Sequence, residues 1–318
     1  MNVLLTGAFG NIGSHTLPEL LRQGHTVRCF SRDTSERRRQ ARGLPRGAEA
    51  VLGDVLDASA LRRAAAGVDA VVHLAAVIPP ASEEDPEHAR LVNVEGTRNV
   101  VAACRGQARP PRLLFSSTFD VHGHTLSRRP PRRVTDPVVA TDAYTAHKIA
   151  CEDLVRGSRL EWCIFRLSDV PILGIRDPHP IMFEIGLDNR IEALHADDAG
   201  LAIANALRTP EVWGRTLFVG GGVSCQLTYR EYLTRLLAAM GIDPLPDDAF
   251  ADKEYATDWI DTEESQRLLR YQRHGFDAIA EAIAASLGWK RHLVPLARSV
   301  ARSAILKLSP YHGKGARG

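Results

Sequence analysis

The chain opens on a short apolar run, Val3-Leu4-Leu5. A glycine-punctuated turn follows, and then Leu17, Leu20 and Leu21 at helical spacing on one face. That order predicts a buried strand, a tight turn and a helix running to Gln23. Pro18 falls inside this helix, where its missing N–H should bend the axis or cost about 3 kcal/mol. Further apolar runs predict strands at His25 to Phe30, up to Leu52-Gly53-Asp54-Val55, at Asp69 to Ala75 and at Arg112 to Ser117. Asn93-Val94-Glu95-Gly96-Thr97 opens a helix between the last two. Strands alternating with amphipathic helices read as an α/β fold built on a Rossmann-type, doubly wound parallel sheet.

The C-terminal third is less regular. Arg215 to Gly222 reads as a strand and glycine turn, and Tyr229 to Met240, Asp261 to Tyr271 and Phe276 to Leu287 as helices. Gly241 to Asp252 reads as a Pro/Asp-rich loop. The expected organisation is a dinucleotide-binding domain over residues 1–165, to which 194–220 return. A small substrate lobe takes 166–193 and 221–288, and a tail takes 289–318. The tail carries seven Lys/Arg and no acidic residue, with Leu293, Leu296, Val300, Ala304 and Leu308 at helical spacing and Arg298 and Arg302 on another face. A basic amphipathic helix of this kind rests on an anionic membrane or a partner, or packs on its own protein or a dimer mate. Packing is the simpler reading, so loss of residues 290–318 should lower stability or change association.

Composition narrows the picture only a little. At 318 residues and net charge +2, the chain has room for a large core and no general case for nucleic acid. Its five cysteines, at 29, 104, 151, 163 and 225, show no metal spacing, which fits structural thiols in a reducing cytoplasm and no metal site. The first strand starts at the second residue and no apolar run approaches the roughly 18 residues of a membrane span, so neither a signal peptide nor a transmembrane segment is expected. No internal repeat is visible.

The chemistry sits in three places. Thr6-Gly7-Ala8-Phe9-Gly10-Asn11-Ile12-Gly13 joins strand to helix: Gly7 and Gly10 permit a tight turn close to a pyrophosphate, and Gly13 lets the helix approach the strand. The second strand ends in Ser31-Arg32-Asp33, with Arg37, Arg38 and Arg39 behind it. A hydroxyl and a guanidinium suit the 2′-phosphate of NADP, whereas Asp33 reaching the ribose would suit NAD. Third, Ser116-Ser117-Thr118 precedes Tyr144-Thr145-Ala146-His147-Lys148, which places a phenol and an ammonium one helical turn apart. A free tyrosine titrates near ~10. An ammonium about 4 Å away at an effective dielectric of ~20 is worth ~4 kcal/mol, which would bring the phenol to about 7, suited to acid–base work.

On these residues, together with Gly53-Asp54, His73 to Ala76, Asn93 to Thr97, Ser116 to Gly123, Arg166 to Pro171 and His195 to Ala199, the chain resembles the extended short-chain dehydrogenase/reductases, the NAD-dependent epimerase/dehydratase superfamily. The resemblance covers roughly residues 1–285. It implies that Tyr144 carries the proton, that Lys148 tunes it and holds the nicotinamide ribose, and that a Ser/Thr polarises the substrate oxygen. Aligning Val121-His122-Gly123 with the family's V-Y-G puts that hydroxyl at Thr118, with Ser117 as neighbour and Asp120 as a further acid or base. The implied cofactor contacts are Gly7, Phe9, Gly10, Asn11, Ile12 and Gly13 at the turn, and Ser31, Arg32, Asp54 and Val55 at the adenosine. Leu74, Ala75, Ala76, Asn93, Ser116, Tyr144, Lys148 and Val170 are expected along the nicotinamide.

Three departures argue against a standard nucleotide-sugar enzyme. The acidic pair that dehydratases carry after the threonine reads Phe119-Asp120. The family's Arg-x-x-Asn reads Arg166-Leu167-Ser168-Asp169, and the segment from Asp169 to Ile191 is short. Arg176, Arg190 and the loop Ser127-Arg128-Arg129-Pro130-Pro131-Arg132-Arg133 offer either a clamp for an anionic substrate group or a solvated face. Trp162, Tyr255 and Trp259 are candidates to line an apolar pocket. The expected function is NADP(H)-preferring interconversion of a ketone and a secondary alcohol on a small molecule, by a cytoplasmic homodimer. The alternatives are a nucleotide-sugar epimerase or dehydratase holding NAD tightly, and a non-enzymatic dinucleotide sensor, which would have no need of the Thr/Tyr/Lys set.

Overall fold

A computed structural model describes residues 1–174, 178–292, 294 and 298–313. Seven parallel strands form the central sheet: β1 (Asn2–Thr6), β2 (Thr26–Ser31), β3 (Ala48–Leu52), β4 (Ala70–His73), β5 (Arg112–Thr118), β6 (Trp162–Leu167) and, after a short β7 (Arg190–Glu192), β8 (Arg215–Val219). Their order is β3-β2-β1-β4-β5-β6-β8, and β7 pairs antiparallel with β9 (Gln226–Thr228) outside that sheet. This is the Rossmann-type sheet the sequence predicts. The strand order reverses between β1 and β4, which opens a crevice at their C-terminal ends.

Helices cover both faces: α1 (Asn11–Arg22), α2 (Ser35–Arg42), α3 (Ala58–Ala64), α4 (Ala81–Glu84), α5 (Pro86–Arg90), α6 (Gly96–Arg105), α7 (Ala143–Arg156) and α8 (Ala196–Ala206). Between α5 and α6 the chain does not restart as a fresh helix, as Asn93 to Thr97 would suggest, but runs through a five-residue π-turn, Leu91–Glu95. Pro18 leaves α1 continuous over its 12 residues. The helix is held by its neighbour instead: α8 lies so close that a Cβ on Gly200 would sit 2.5 Å from the His15 carbonyl oxygen.

Two apolar clusters fill the layers above and below the sheet, one around Leu5, Leu20, Phe165 and Leu217, the other around Phe30, Leu61, Val100 and Phe115. A third gathers Phe183, Tyr229, Phe250 and Phe276 from the C-terminal segments. Here α9 (Tyr229–Ala239), α10 (Glu263–Leu269) and α11 (Phe276–Ala285) fall within the expected helices, each somewhat shorter. The final helix, α12 (Arg298–Leu306), buries Ile305 and Leu306 in this cluster. Arg302 donates to the Pro244 carbonyl at 2.8 Å and the Tyr311 hydroxyl to Glu184 at 2.9 Å, so the tail helix packs on its own protein. Leu293 and Leu296 lie outside the described residues. Among the described residues no helix is long and apolar enough to cross a membrane.

Candidate active site

The glycine turn sits at the crevice. Gly7 has φ +70°, and a Cβ there would meet the Ala75 nitrogen at 2.9 Å; one on Gly13 would lie 2.2 Å from the Gly7 carbonyl oxygen. Neither position tolerates a side chain, and the strand end Leu74–Ala75 is drawn against the turn. α1 starts at Gly10 with no side-chain cap and no acid in its first turn, whereas Thr34, Asp57 and Asp142 cap α2, α3 and α7. Uncapped N–H groups at a helix start are ready for an anion. The nominated residues Phe9, Gly10, Asn11 and Ile12 lie on this turn, and Asn11 Nδ2 donates to the Val170 carbonyl at 2.9 Å, joining the turn to the segment after β6.

At the end of β2, Asp33 is engaged by Arg38 through both oxygens, at 2.5 and 2.8 Å, and its carboxyl is held below its usual range by that pairing. Arg32 is exposed, and neither its guanidinium nor the Ser31 hydroxyl has a hydrogen-bond partner among the described residues. Of the arginines behind the strand, Arg37 turns to the glycine turn: its Nη1 donates to the Phe9 carbonyl at 2.7 Å and its guanidinium lies 6.0 Å from the Phe9 ring. The Asp54 carboxylate accepts from the Leu56 N–H at 2.9 Å, and Val55 is buried, its side chain filling the space a Cβ on Gly96 would need.

Beneath the crevice runs a buried chain of hydrogen bonds. Thr6 Oγ1 accepts from the N–H groups of Leu74 and Ala75 and lies 2.7 Å from His73 Nδ1; His73 Nε2 is 3.0 Å from Thr97 Oγ1, which donates to the Asn93 carbonyl at 2.6 Å. Thr97 therefore accepts from Nε2–H, which makes Nδ1 the acceptor for Thr6. Burial drives the His73 pKa down to about 3, so the ring stays neutral and the chain keeps one sense. The Asn93 amide is not open to a ligand: it pairs with both the N–H and the carbonyl of Val77, at 2.7 and 2.8 Å. It thereby braces the stretch through Ala76.

Around β5 the nominated hydroxyls divide. Ser117 donates to Glu152 at 2.5 Å, in a buried network where Arg166 pairs with both Glu152 oxygens and lies 2.9 Å from His122 Nε2. Burial and the Arg166 charge push the His122 pKa down to about 4. Thr118 lies beside Tyr144, and its hydroxyl accepts from the Asp120 N–H at 3.2 Å. Lys148 is buried, donates to the Ser116 carbonyl at 2.7 Å, and lies 5.7 Å from the Tyr144 ring centre. This arrangement corrects the expected titration. Burial, with Asp120 and then Asp142 adding to it, raises the Tyr144 pKa rather than lowering it. At this distance, and already bound to a carbonyl, the Lys148 ammonium does not outweigh desolvation.

Two acidic residues complete the picture. Asp120, half-buried next to Thr118, has its pKa pushed up to about 7, chiefly by burial and then by the charges of Asp169 and Asp142. Glu83 accepts from the N–H groups of Ala143 and Tyr144, at 3.3 and 3.1 Å, while Asp142 accepts from Thr145. The start of α7 is thus capped partly from α4, about sixty residues away in sequence. Nothing local in the sequence signals Glu83; only the unsatisfied donors of a predicted α7 would have prompted a search for it.

A model of the NAD dependent epimerase/dehydratase family matches residues 3–171. The chain belongs to that family. It is an extended short-chain dehydrogenase/reductase and an NAD-dependent oxidoreductase. Among curated relatives it is 28% identical to 2-alkyl-3-oxoalkanoate reductase of Stenotrophomonas maltophilia, over 76% of each chain. It is 30% identical to 3-beta-hydroxysteroid dehydrogenase of Mycolicibacterium neoaurum, over 60% of this chain and 54% of that one. The match to D-erythronate dehydrogenase of Cupriavidus necator is 30%, over 57% of each. Among solved structures, dTDP-glucose 4,6-dehydratase of Streptomyces venezuelae with NAD bound superposes with a TM-score of 0.78 at 24% identity, over 92% of this chain and 98% of that one. UDP-glucuronic acid 4-epimerase of Bacillus cereus, in complex with a UDP-sugar and NAD, gives 0.77 at 19%, over 90% and 99%. These two establish the fold.

On the substrate side, Asp169 accepts from the Tyr232 hydroxyl at 3.3 Å. Arg190 does not reach outward: it grips the fully buried Asp258 at 2.5 and 3.0 Å and donates to the carbonyls of Thr125 and Arg128. Arg132, also buried, lies 3.4 Å from the same carboxylate. Arg176 lies outside the described residues. Of the nominated aromatics, Tyr255 donates its N–H to Asn189 Oδ1 at 2.8 Å, and burial raises its phenol pKa. Trp162 belongs to the sheet, and the Trp259 indole donates to the Leu227 carbonyl at 2.9 Å.

Proposed function

We propose that this oxidoreductase prefers NADP(H) and interconverts a ketone and a secondary alcohol on a small molecule. The observation that carries the reading is the grouping of Thr118, Tyr144 and Lys148 at the end of β5, one strand from the glycine turn's crevice. The uncapped start of α1 would hold the pyrophosphate, Ser31 and Arg32 the 2′-phosphate, Asp54 and Val55 the adenine edge, and Leu74 to Ala76 the nicotinamide side. Lys148 would hold the ribose. The bound dinucleotide supplies or accepts the hydride. Tyr144 Oη moves the proton to or from the substrate oxygen, which Thr118 Oγ1 steadies by a second hydrogen bond. Because the Tyr144 pKa is raised, the phenol keeps its proton at neutral pH, which favours the direction that needs an acid, reduction of the ketone. Ser117 and Asn93 act by bracing in this scheme. The named activities of an oxoalkanoate reductase and a hydroxysteroid dehydrogenase among the relatives agree with it.

The test is twofold. Tyr144→Phe should cut ketone-dependent NADPH oxidation by roughly 10²–10⁴-fold with NADPH affinity intact; near-normal turnover in the variant would sink the mechanism. The competing reading, an epimerase or dehydratase that recycles its cofactor, draws on the solved neighbours with NAD bound. Purified protein that retains NAD through dialysis would favour it. We also propose a homodimer through the face between α6 and α7, where Val94, Val101, Ala102, Ala150 and Leu154 line a depression of about 510 Å³. Light scattering should give twice the 34.8 kDa chain mass, and a monomer would exclude this interface.

A further inference from the structure

The acid–base residues leave open what surrounds the reacting carbon, but the rim of the cleft bears on it. Four of the large apolar side chains exposed among the described residues, Ile78, Val138, Val139 and Ile172, lie on the segments that leave β4, β5 and β6. These strands are parallel neighbours, so the three segments rise from one edge of the sheet, the edge that carries Thr118. Three of these side chains stand next to backbone held by hydrogen bonds. Ile78 is 54% exposed and follows Val77, which Asn93 clamps on both sides. Val139 is 53% exposed, and its N–H donates to the Val121 carbonyl, three residues beyond Thr118, at 2.8 Å. Ile172 is 39% exposed and stands two residues past Val170, whose carbonyl takes the Asn11 amide.

Apolar side chains that rigid backbone keeps in water do nothing for the fold; they stabilise whatever covers them. Two of the arginines that would suit a phosphate are turned inward at the same end of the molecule, Arg190 and Arg132 both facing the buried Asp258, while Arg128, Arg129 and Arg133 lie exposed on the loop outside. We propose that the cleft takes a ketone or alcohol with an extended apolar body, received by Ile78, Val139 and Ile172, rather than a nucleotide-linked sugar. This rests on the oxidoreductase reading above. A methylene moved from water to an apolar site contributes about 0.8 kcal/mol, a factor of about four in affinity.

The test uses the Tyr144→Phe protein saturated with NADP⁺, titrated by calorimetry with straight-chain 2-ketones of increasing length and, separately, with UDP-glucose. Affinity should rise about threefold to fourfold per methylene until the rim is covered, and the long ketones should outbind UDP-glucose. Ile78→Asp and Val139→Asp should flatten the slope, while Val300→Asp, on exposed α12, should leave it unchanged. A length-independent affinity, tighter binding of UDP-glucose, or an unchanged slope in both rim variants would overturn the proposal. The wild-type enzyme separates the two readings. A steep slope with no NADPH oxidation by the tightest ketone defeats the oxidoreductase reading alone, and equal turnover of all lengths defeats the apolar rim alone.

Discussion

The two ends of the cleft treat their polar groups in opposite ways. At the end built by β1, β2 and the glycine turn, groups that suit an anion stand open: the start of α1 is uncapped, and Ser31 and Arg32 have no partner among the described residues. At the end built by β5, β6 and the C-terminal segments, several charged side chains are engaged inside the protein, although Arg128, Arg129 and Arg133 stay exposed on their loop. Arg190 and Arg132 hold Asp258, Arg166 holds Glu152, and Glu83 caps α7. A site for a fixed polyanion keeps its donors free; a site whose charges are internally paired discriminates by shape and apolar contact instead.

The sharpest way to break this comparison is at Arg190. If its role is to neutralise Asp258, Arg190→Ala should cost on the order of 3 kcal/mol of stability, toward the low end because Arg132 and Thr125 still face the carboxylate. That corresponds to a melting temperature lower by roughly 5 °C or more, with NADPH affinity unchanged. Unaltered melting combined with lost substrate binding would return Arg190 to the cleft. At the opposite end, Arg32→Ala should remove a charge-assisted contact worth about 1.5–3 kcal/mol. NADPH affinity then falls roughly ten- to a hundredfold while NADH affinity holds. Equal losses for both dinucleotides would show that Arg32 does not read the 2′-phosphate.

What sequence could reveal follows the same division. The glycine turn was legible because its requirements are local: Gly7 needs a positive φ and Gly13 has no room for a Cβ. The pairing of Tyr144 with Lys148 was legible because helical spacing fixes it. The parallel sheet was legible in the alternation of strands and helices, because parallel strands need crossovers. What stayed hidden depends on contacts remote in sequence. Ser117 looks as available as Thr118 until Glu152 arrives 35 residues later, and Asn93 looks like a ligand until Val77 takes both ends of its amide. The direction of the Tyr144 shift also escaped, because a charge pair can be read from spacing but burial cannot. Pro18 was legible as an anomaly only; the close packing of α1 on Gly200 supplies what the helix lacks.

A pH series tests the boundary between the two ends, at Asp120. Its folded-state pKa is pushed up to about 7, whereas an unfolded aspartate titrates near ~3.9. As pH rises from about 4, the unfolded chain gives up this proton first, so it binds fewer protons than the folded state and stability falls until about 7. Glu192, also pushed up to about 7 by burial, contributes a parallel fall, so the slope must be compared between proteins rather than read from one. Asp120→Asn keeps the shape and removes the titration; its melting temperature relative to wild type should therefore climb between pH 4 and 7 and level off above. Activity should follow the same group. Negative charge developing on a substrate oxygen beside Thr118 is opposed by an ionised Asp120, so ketone reduction should decline by a few-fold as pH passes 7 in the wild type and stay flat in the variant. Tyr144, with its pKa raised, keeps its proton throughout this window and adds no limb of its own. Parallel pH profiles in the two proteins would remove Asp120 from the reacting centre and leave Thr118 and Tyr144 to act without it.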